Sequence, residues 1–241
     1  MAERELVLIL GPEERTRLIG GRVLLLNYRS TRAEDLDGAL RAQNATPLAI
    51  RAALLSTDHK LPDVREAVRS LTERSPQGEI HWILFGKRPD PEQIAALREA
   101  GVKLALFEPF TDEELRFVIN EAHHLGRQDT PRSEERVPSN LRARVITKTG
   151  ERAVLVYNLS TAGAYLVTPR PALRGGPVQV HLTLPSGEAV LDGQVVWNNV
   201  PGNLRRPNAP VGMGVRFVEV PPEVMSGLLE YIDERTRAYR L

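Results

Sequence analysis

Short apolar runs separated by amphipathic stretches fill the first half of the chain. The runs cover residues 6–10, 23–28, 49–56, 80–85 and 102–107. Each is of strand length, rich in Val, Ile and Leu, and nearly continuous rather than alternating, as expected of strands covered on both faces by helices. The stretches 12–19, 31–43, 61–74, 91–100 and 111–123 predict the intervening helices. Thr111 followed by Glu114 fits a capping box, and Gly101 stands where the fourth helix must stop. The alternation predicts an α/β domain over residues 1–125, a doubly wound parallel sheet of five βα units.

After residue 140 the pattern changes to short strands with close turns: 142–149, 152–158, 163–167, 178–184, 190–198 and 211–218. Val178-Gln179-Val180-His181-Leu182-Thr183-Leu184 alternates as a half-buried strand does, and Pro185-Ser186-Gly187 then supplies a turn. Thr149-Gly150 and Gly175-Gly176 mark two more. Six strands without intervening helices predict a small closed antiparallel barrel, which leaves no exposed edge. The tail 221–240 is amphipathic, with Val224, Leu228, Leu229 and Ile232 on one face, and is expected to lie against the barrel. The junction 126–140 holds two prolines, many charges and almost no apolar residues; it reads as a linker too polar to hold itself in one conformation. The expected domains are therefore 1–125, a linker 126–140 and 141–241.

Composition narrows the function classes. A chain of 241 residues suits two domains, each able to bury a core. With no cysteine there is neither a disulfide scaffold nor a thiolate metal site. The amino terminus lacks a basic start and a long apolar run, and every apolar stretch is too short to span a bilayer, so the expectation is a cytoplasmic protein with no membrane span. Net charge is +1 overall, but residues 1–125 carry 17 Lys and Arg against 20 Asp and Glu, and residues 126–241 carry 15 against 11. A mildly basic second half fits a small polyanion better than a nucleic-acid polymer, which calls for a denser basic face.

The candidate chemistry lies in the second half. Arg132-Ser133-Glu134-Glu135-Arg136 places two arginines four apart, and Asn158-Leu159-Ser160-Thr161-Ala162-Gly163 begins 22 residues after Arg136. Guanidinium forks can grip phosphate and lie flat on a purine, while Asn, Ser and Gly offer an amide, a hydroxyl and room for close backbone approach. The pair resembles the RxxxR and (D/N)xSxxG signature of PilZ domains, with Val137-Pro138 after the first motif and Gly212-Met213-Gly214-Val215-Arg216-Phe217 similar to the family's closing strand. The resemblance implies a PilZ β-barrel with a carboxy-terminal helix. It also implies a ligand, cyclic di-GMP, and no catalytic residue, cofactor or metal. By the same resemblance Arg132 and Arg136 would contact phosphate and guanine, Asn158 would accept from guanine N–H groups, and Ser160 would hydrogen-bond the ligand. Gly163 would allow a turn with positive φ and an unobstructed approach.

The first half resembles a response-regulator receiver domain. Asp58, four residues before Pro62 after the third predicted strand, matches the phosphoacceptor position. Phosphotransfer also needs an acidic pair for a divalent metal, a hydroxyl after the fourth strand and a lysine after the fifth. Gly11-Pro12, Gly86-Lys87 and Glu108 stand at those places. The expectation is a pseudo-receiver that serves protein contacts, with dimerisation left open and Asp58 a loop or helix-capping aspartate.

Other constellations lead nowhere. His123 and His124 are adjacent and point apart on a helix, no Gly-Lys-Ser/Thr phosphate loop or Gly-x-Ser-x-Gly elbow occurs, and Trp197 reads as barrel core, with a rim position near the ligand as the alternative. Two functions from different classes fit: a cyclic di-GMP receptor in which the nucleotide orders the linker and alters domain orientation, and a nucleotide-independent PilZ-fold adaptor in a motility or polarity complex.

Overall fold

The computed structural model describes residues 5–59, 61–73, 79–125, 134–202 and 208–241, with the backbone alone at 61–63. The chain divides into two compact units, Met1–Thr130 with Ala238–Leu241, and Pro131–Arg237.

The first unit runs β1 (Glu5–Leu10), α1 (Glu13–Leu25), β2 (Arg29–Ala33), α2 (Leu36–Ala45), β3 (Ala49–Ser56), α3 (Leu61–Glu73), β4 (His81–Gly86), α4 (Pro91–Glu99), β5 (Leu104–Phe107) and α5 (Asp112–Leu125). Its five strands are all parallel, in the order β2-β1-β3-β4-β5. That is the doubly wound order of receiver domains, whose ligands sit beyond the strands' carboxyl ends at the β1/β3 switch point. The apolar runs are buried on both faces of the central strands: Val7, Leu8, Ile9, Leu10, Leu54, Leu55 and Ile83 are inaccessible to solvent. The Thr111–Glu114 capping box forms in both directions, Thr111 N–H to Glu114 Oε2 at 2.8 Å and Glu114 N–H to Thr111 Oγ1 at 3.2 Å. Gly101 closes α4 with φ of +94°.

One predicted strand is in the wrong place. Residues 23–28 do not form β2; 23–25 finish α1, and the second strand is Arg-Ser-Thr-Arg-Ala at 29–33. Ile19, Val23 and Leu26 are buried at helical spacing while Leu24 and Leu25 are exposed, so the run of leucines is the end of an amphipathic helix. β2 pairs only with β1 and is largely polar because it is the sheet's edge. The shift also moves the second helix later, to begin after Asp35, whose side chain caps the Gly38 amide at 2.7 Å.

The second unit runs β6 (Val137–Pro138), β7 (Arg142–Thr147), β8 (Gly150–Ser160), β9 (Gly163–Val167), β10 (Pro177–Leu184), β11 (Gly187–Asn199), β12 (Gly212–Glu219) and α6 (Pro222–Tyr239). The order β6-β8-β7-β10-β11-β12-β9, with β8 also paired to β9, closes six antiparallel strands into a barrel and adds β6 beside β8. The two-residue hairpin between Leu184 and Gly187 falls at the predicted turn, with Gly187 at φ of +138°. Val156, Leu159, Leu166, Val180, Leu182 and Leu191 fill the interior without solvent access.

Part of the expected linker belongs to this barrel. Val137 pairs with Leu159 and Pro138 with Asn158, and Val137 is fully buried. Tyr231 of α6 donates its hydroxyl to Ser139 Oγ at 3.1 Å, and Arg235 Nε donates to the Pro138 carbonyl at 3.1 Å. Composition hides this because the segment borrows its order from β8 and α6 rather than from apolar residues of its own. Along α6, Leu228, Tyr231 and Ile232 are buried, whereas Leu229, expected on the same face, is exposed. Among the described residues no helix is long and apolar enough to cross a membrane.

Candidate functional site

The barrel's open cleft is formed where β6 leads into the sheet and β8 turns into β9. It has a volume of about 330 Å³ and is lined by Glu134, Arg136, Ser160, the 162–165 segment, Val196, Trp197, Gly214, Val215 and Arg216. Arg136 is brought here by the pairing of the next two residues with β8, which fixes the chain one residue beyond the guanidinium's backbone. Ser160 and Gly163 are paired across the two-residue Thr161–Ala162 turn, and the buried Ser160 hydroxyl donates to the Gly163 carbonyl at 3.3 Å. Its oxygen lone pairs remain as acceptors. Thus three of the five expected site residues, Arg136, Ser160 and Gly163, share one cleft. Asn158 is half-buried on β8 and does not line it. Arg132 lies outside the described residues.

The expected role of Gly163 needs correction. It does not adopt a positive φ; positive values among the glycines occur at Gly11, Gly86, Gly101, Gly150, Gly175, Gly187 and Gly202. A Cβ at residue 163 would run into the carbonyl oxygen of Val215, so glycine is there to let β9 lie close against β12.

The cleft is also lined by residues that the motifs do not name. Trp197 and Tyr165 stack with ring centroids 4.9 Å apart and planes 23° off parallel, and Tyr157 meets Tyr165 edge-on at 5.9 Å. Gly214 lies between them in the sheet, paired to Trp197 on one side and Tyr165 on the other, and a Cβ there would strike the indole. Trp197, read first as barrel core and alternatively as a rim residue, is half-buried and lines the cleft, as the alternative has it. The available signal was Gly212-Met213-Gly214, since glycine inside a strand marks a close approach by something else. Arg216 joins the cleft from β12, its guanidinium donating to Gln194 Oε1 at 3.3 Å.

The carboxylate of Glu134 caps the β8–β9 turn. Its Oε2 accepts from Thr161 Oγ1 at 2.8 Å and from the Ala162 amide at 2.7 Å. On its far side the same turn is tied to the sheet, with the Phe217 amide donating to the Ala162 carbonyl at 2.8 Å.

In the first unit, the place of a receiver's phosphorylation chemistry is taken by an ion cluster. Arg15 on α1 donates from Nε to Asp58 Oδ2 at 2.7 Å and from Nη1 to Glu108 Oε1 at 3.0 Å. The hydrogen bond and charge of Asp58, with Glu108 behind them, push the already high Arg15 pKa higher. Gly11 and Gly86, at the positions of the acidic pair and the hydroxyl, have φ of +149° and +127°. A Cβ on either would collide with Ser56 or Thr57. Asp58 is a loop aspartate paired to arginine, with its amide donating to Ser56 Oγ at 3.2 Å.

Comparison with known proteins agrees with this division. No curated protein matches the chain. Among solved structures, the PilZ domain of YcgR from Escherichia coli, with c-di-GMP, is 20% identical, covers 45% of this chain and 93% of its own, and has a TM-score of 0.35. The inhibitor of motility MotI/DgrA of Bacillus subtilis is 19% identical over 46% of this chain at a TM-score of 0.39; this chain spans 54% of its length. The receiver domain of an HD domain-containing protein from Pseudomonas fluorescens Pf-5 is 19% identical over 52% of this chain and 91% of its own, at a TM-score of 0.44. Residues 130–234 match the PilZ domain family. By its strand order the first unit has a receiver-like doubly wound fold, and the second unit carries the match to the PilZ domain family.

Proposed function

We propose that the barrel cleft binds cyclic di-GMP and that the chain is a receptor rather than an enzyme. One observation carries the reading: Arg136 and the Ser160–Gly163 turn, from separate motifs, meet in one cleft of a PilZ domain. The chemistry suits a guanine dinucleotide. Arg136 and Arg216 offer donors to phosphate oxygens and to guanine O6 and N7, and the Trp197–Tyr165 stack offers a flat apolar wall. Arg132, two residues before Glu134, supplies the second fork of the motif. Asn158, outside the lining, acts at the margin through its amide.

Nucleotide occupancy changes the 134–136 segment near the start of the second unit, and so alters what the receiver-like unit presents to a protein partner. Calorimetric titration with cyclic di-GMP tests the reading, with Arg136→Ala as the variant expected to lose binding. A parent protein that takes up no cyclic di-GMP overturns it.

A second reading, an adaptor that works without nucleotide, is favoured by α1, where Leu18, Leu24 and Leu25 are 59%, 68% and 82% exposed. The same titration separates the two.

A further inference from the structure

Glu134 sits between the two arginines of the first motif in sequence, and its carboxylate is held by the second motif. A hydroxyl and a main-chain amide converge on a single carboxylate oxygen, Thr161 Oγ1 at 2.8 Å and Ala162 N at 2.7 Å, both within the range of charge-assisted hydrogen bonds. Two such donors aimed at one point form a site for an oxyanion, here filled by the protein's own side chain. Glu134 and Ala162 both line the cleft that holds Arg136, Ser160 and Arg216. A dianionic ligand entering that cleft meets a negative charge already on its wall.

We infer that the Thr161 hydroxyl and the Ala162 amide form a phosphate subsite, and that Glu134 is a built-in competitor which fills it until a phosphate of the nucleotide displaces the carboxylate. The inference rests on the reading of the cleft as a cyclic di-GMP site. The exchange leaves no donor unsatisfied, because a phosphodiester oxygen takes over both hydrogen bonds while the released carboxylate is hydrated. It also sets where movement starts. Val137 and Pro138 stay paired to β8, so displacement of Glu134 frees the chain on the amino-terminal side of Arg136 and leaves the barrel strand in place.

Competition lowers apparent affinity by the fraction of molecules in which the subsite is open. If Glu134 is docked about nine-tenths of the time, its removal raises affinity about tenfold. Glu134→Gln and Glu134→Ala are therefore expected to bind cyclic di-GMP more tightly than the parent by calorimetry. In the Glu134→Ala background, Thr161→Val should then weaken binding several-fold, since its hydroxyl now serves only the phosphate.

The Ala162 amide supplies a second readout. Its proton resonance should move upfield in nucleotide-free Glu134→Ala and return downfield when cyclic di-GMP is added. Weaker binding by Glu134→Ala and Glu134→Gln, in variants whose circular dichroism matches the parent, would show that Glu134 is a staple that positions Arg136 and not a competitor. Unchanged affinity together with an Ala162 resonance unmoved by nucleotide would remove the subsite. Absence of binding by both the parent and Glu134→Ala overturns the cyclic di-GMP reading, and the inference with it.

Discussion

Arg136 illustrates how a single side chain can be legible in sequence while its neighbours are not. The arginine spacing and the Asn-x-Ser-x-x-Gly spacing are local properties of the chain, so Arg136, Ser160 and Gly163 could be named before any fold was known. Trp197, Tyr165 and Arg216 reach the same cleft from β11, β9 and β12. Their meeting depends on the register of three strands and on an irregularity between Val195 and Trp197, which re-aims the side chains beyond it. No spacing in the sequence encodes that. Truncating Arg136 to alanine should weaken cyclic di-GMP binding by about 1.5–3 kcal/mol, at least roughly tenfold, through loss of a charge-assisted contact. Arg136→Lys should recover only part, because an ammonium cannot make two parallel bonds. Titration of both variants checks the pair. Gly214→Ala should be destabilising by about 1–3 kcal/mol in urea unfolding, since the added methyl meets an indole held in place by Tyr165.

At the scale of elements, the strands buried on both faces and the capped helices were readable because each carries its own signal. The errors came where tertiary context supplies what the sequence lacks. β2 is polar because it is an edge, the 23–28 run is apolar because α1 ends there, and β6 is ordered by its neighbours.

Helix α1 also decides the chemistry of the first unit, because it carries Arg15 to the loops after β3 and β5. The guanidinium there neutralises Asp58 and Glu108, and the glycines at 11 and 86 are closed to any larger side chain. Among the described residues, the positions where a receiver carries its acidic pair and its hydroxyl after the fourth strand are thus held by Gly11-Pro12 and Gly86-Lys87. Incubation with acetyl phosphate and magnesium should add no stable phosphoryl mass to the intact protein. A metal-dependent gain that disappears in Asp58→Asn would overturn the pseudo-receiver reading. Arg15→Ala should not restore phosphorylation. It should cost only about 1 kcal/mol or less of stability, as both pairs are partly exposed.

For the whole molecule, acid and ligand act on different units. His81, buried at the start of β4, has its pKa lowered, chiefly by burial and against the pull of Glu79. As pH falls below the ordinary histidine value of 6.5, the unfolded chain takes up a proton that the folded one resists. The stability this group contributes is therefore full above that value and is lost as pH drops toward the lowered folded pKa. Urea midpoints measured from pH 7.5 down to 5.5 should decline, and His81→Gln should flatten the decline.

On the proposed reading the barrel responds to nucleotide instead. A ligand that binds only the folded state stabilises it by about 2.7 kcal/mol at a hundred times its dissociation constant. For a unit of this size, each kcal/mol moves the midpoint by roughly 4 °C or more, so a rise on the order of 10 °C is expected. Trp197 lines the cleft, and the other tryptophan, Trp82, is buried in the core of the first unit. Thermal unfolding of Trp82→Phe followed by fluorescence therefore reports the barrel alone. Its transition should rise with cyclic di-GMP, and the rise should vanish in Trp82→Phe/Arg136→Ala. An equal rise in that double variant would place the nucleotide somewhere other than the cleft.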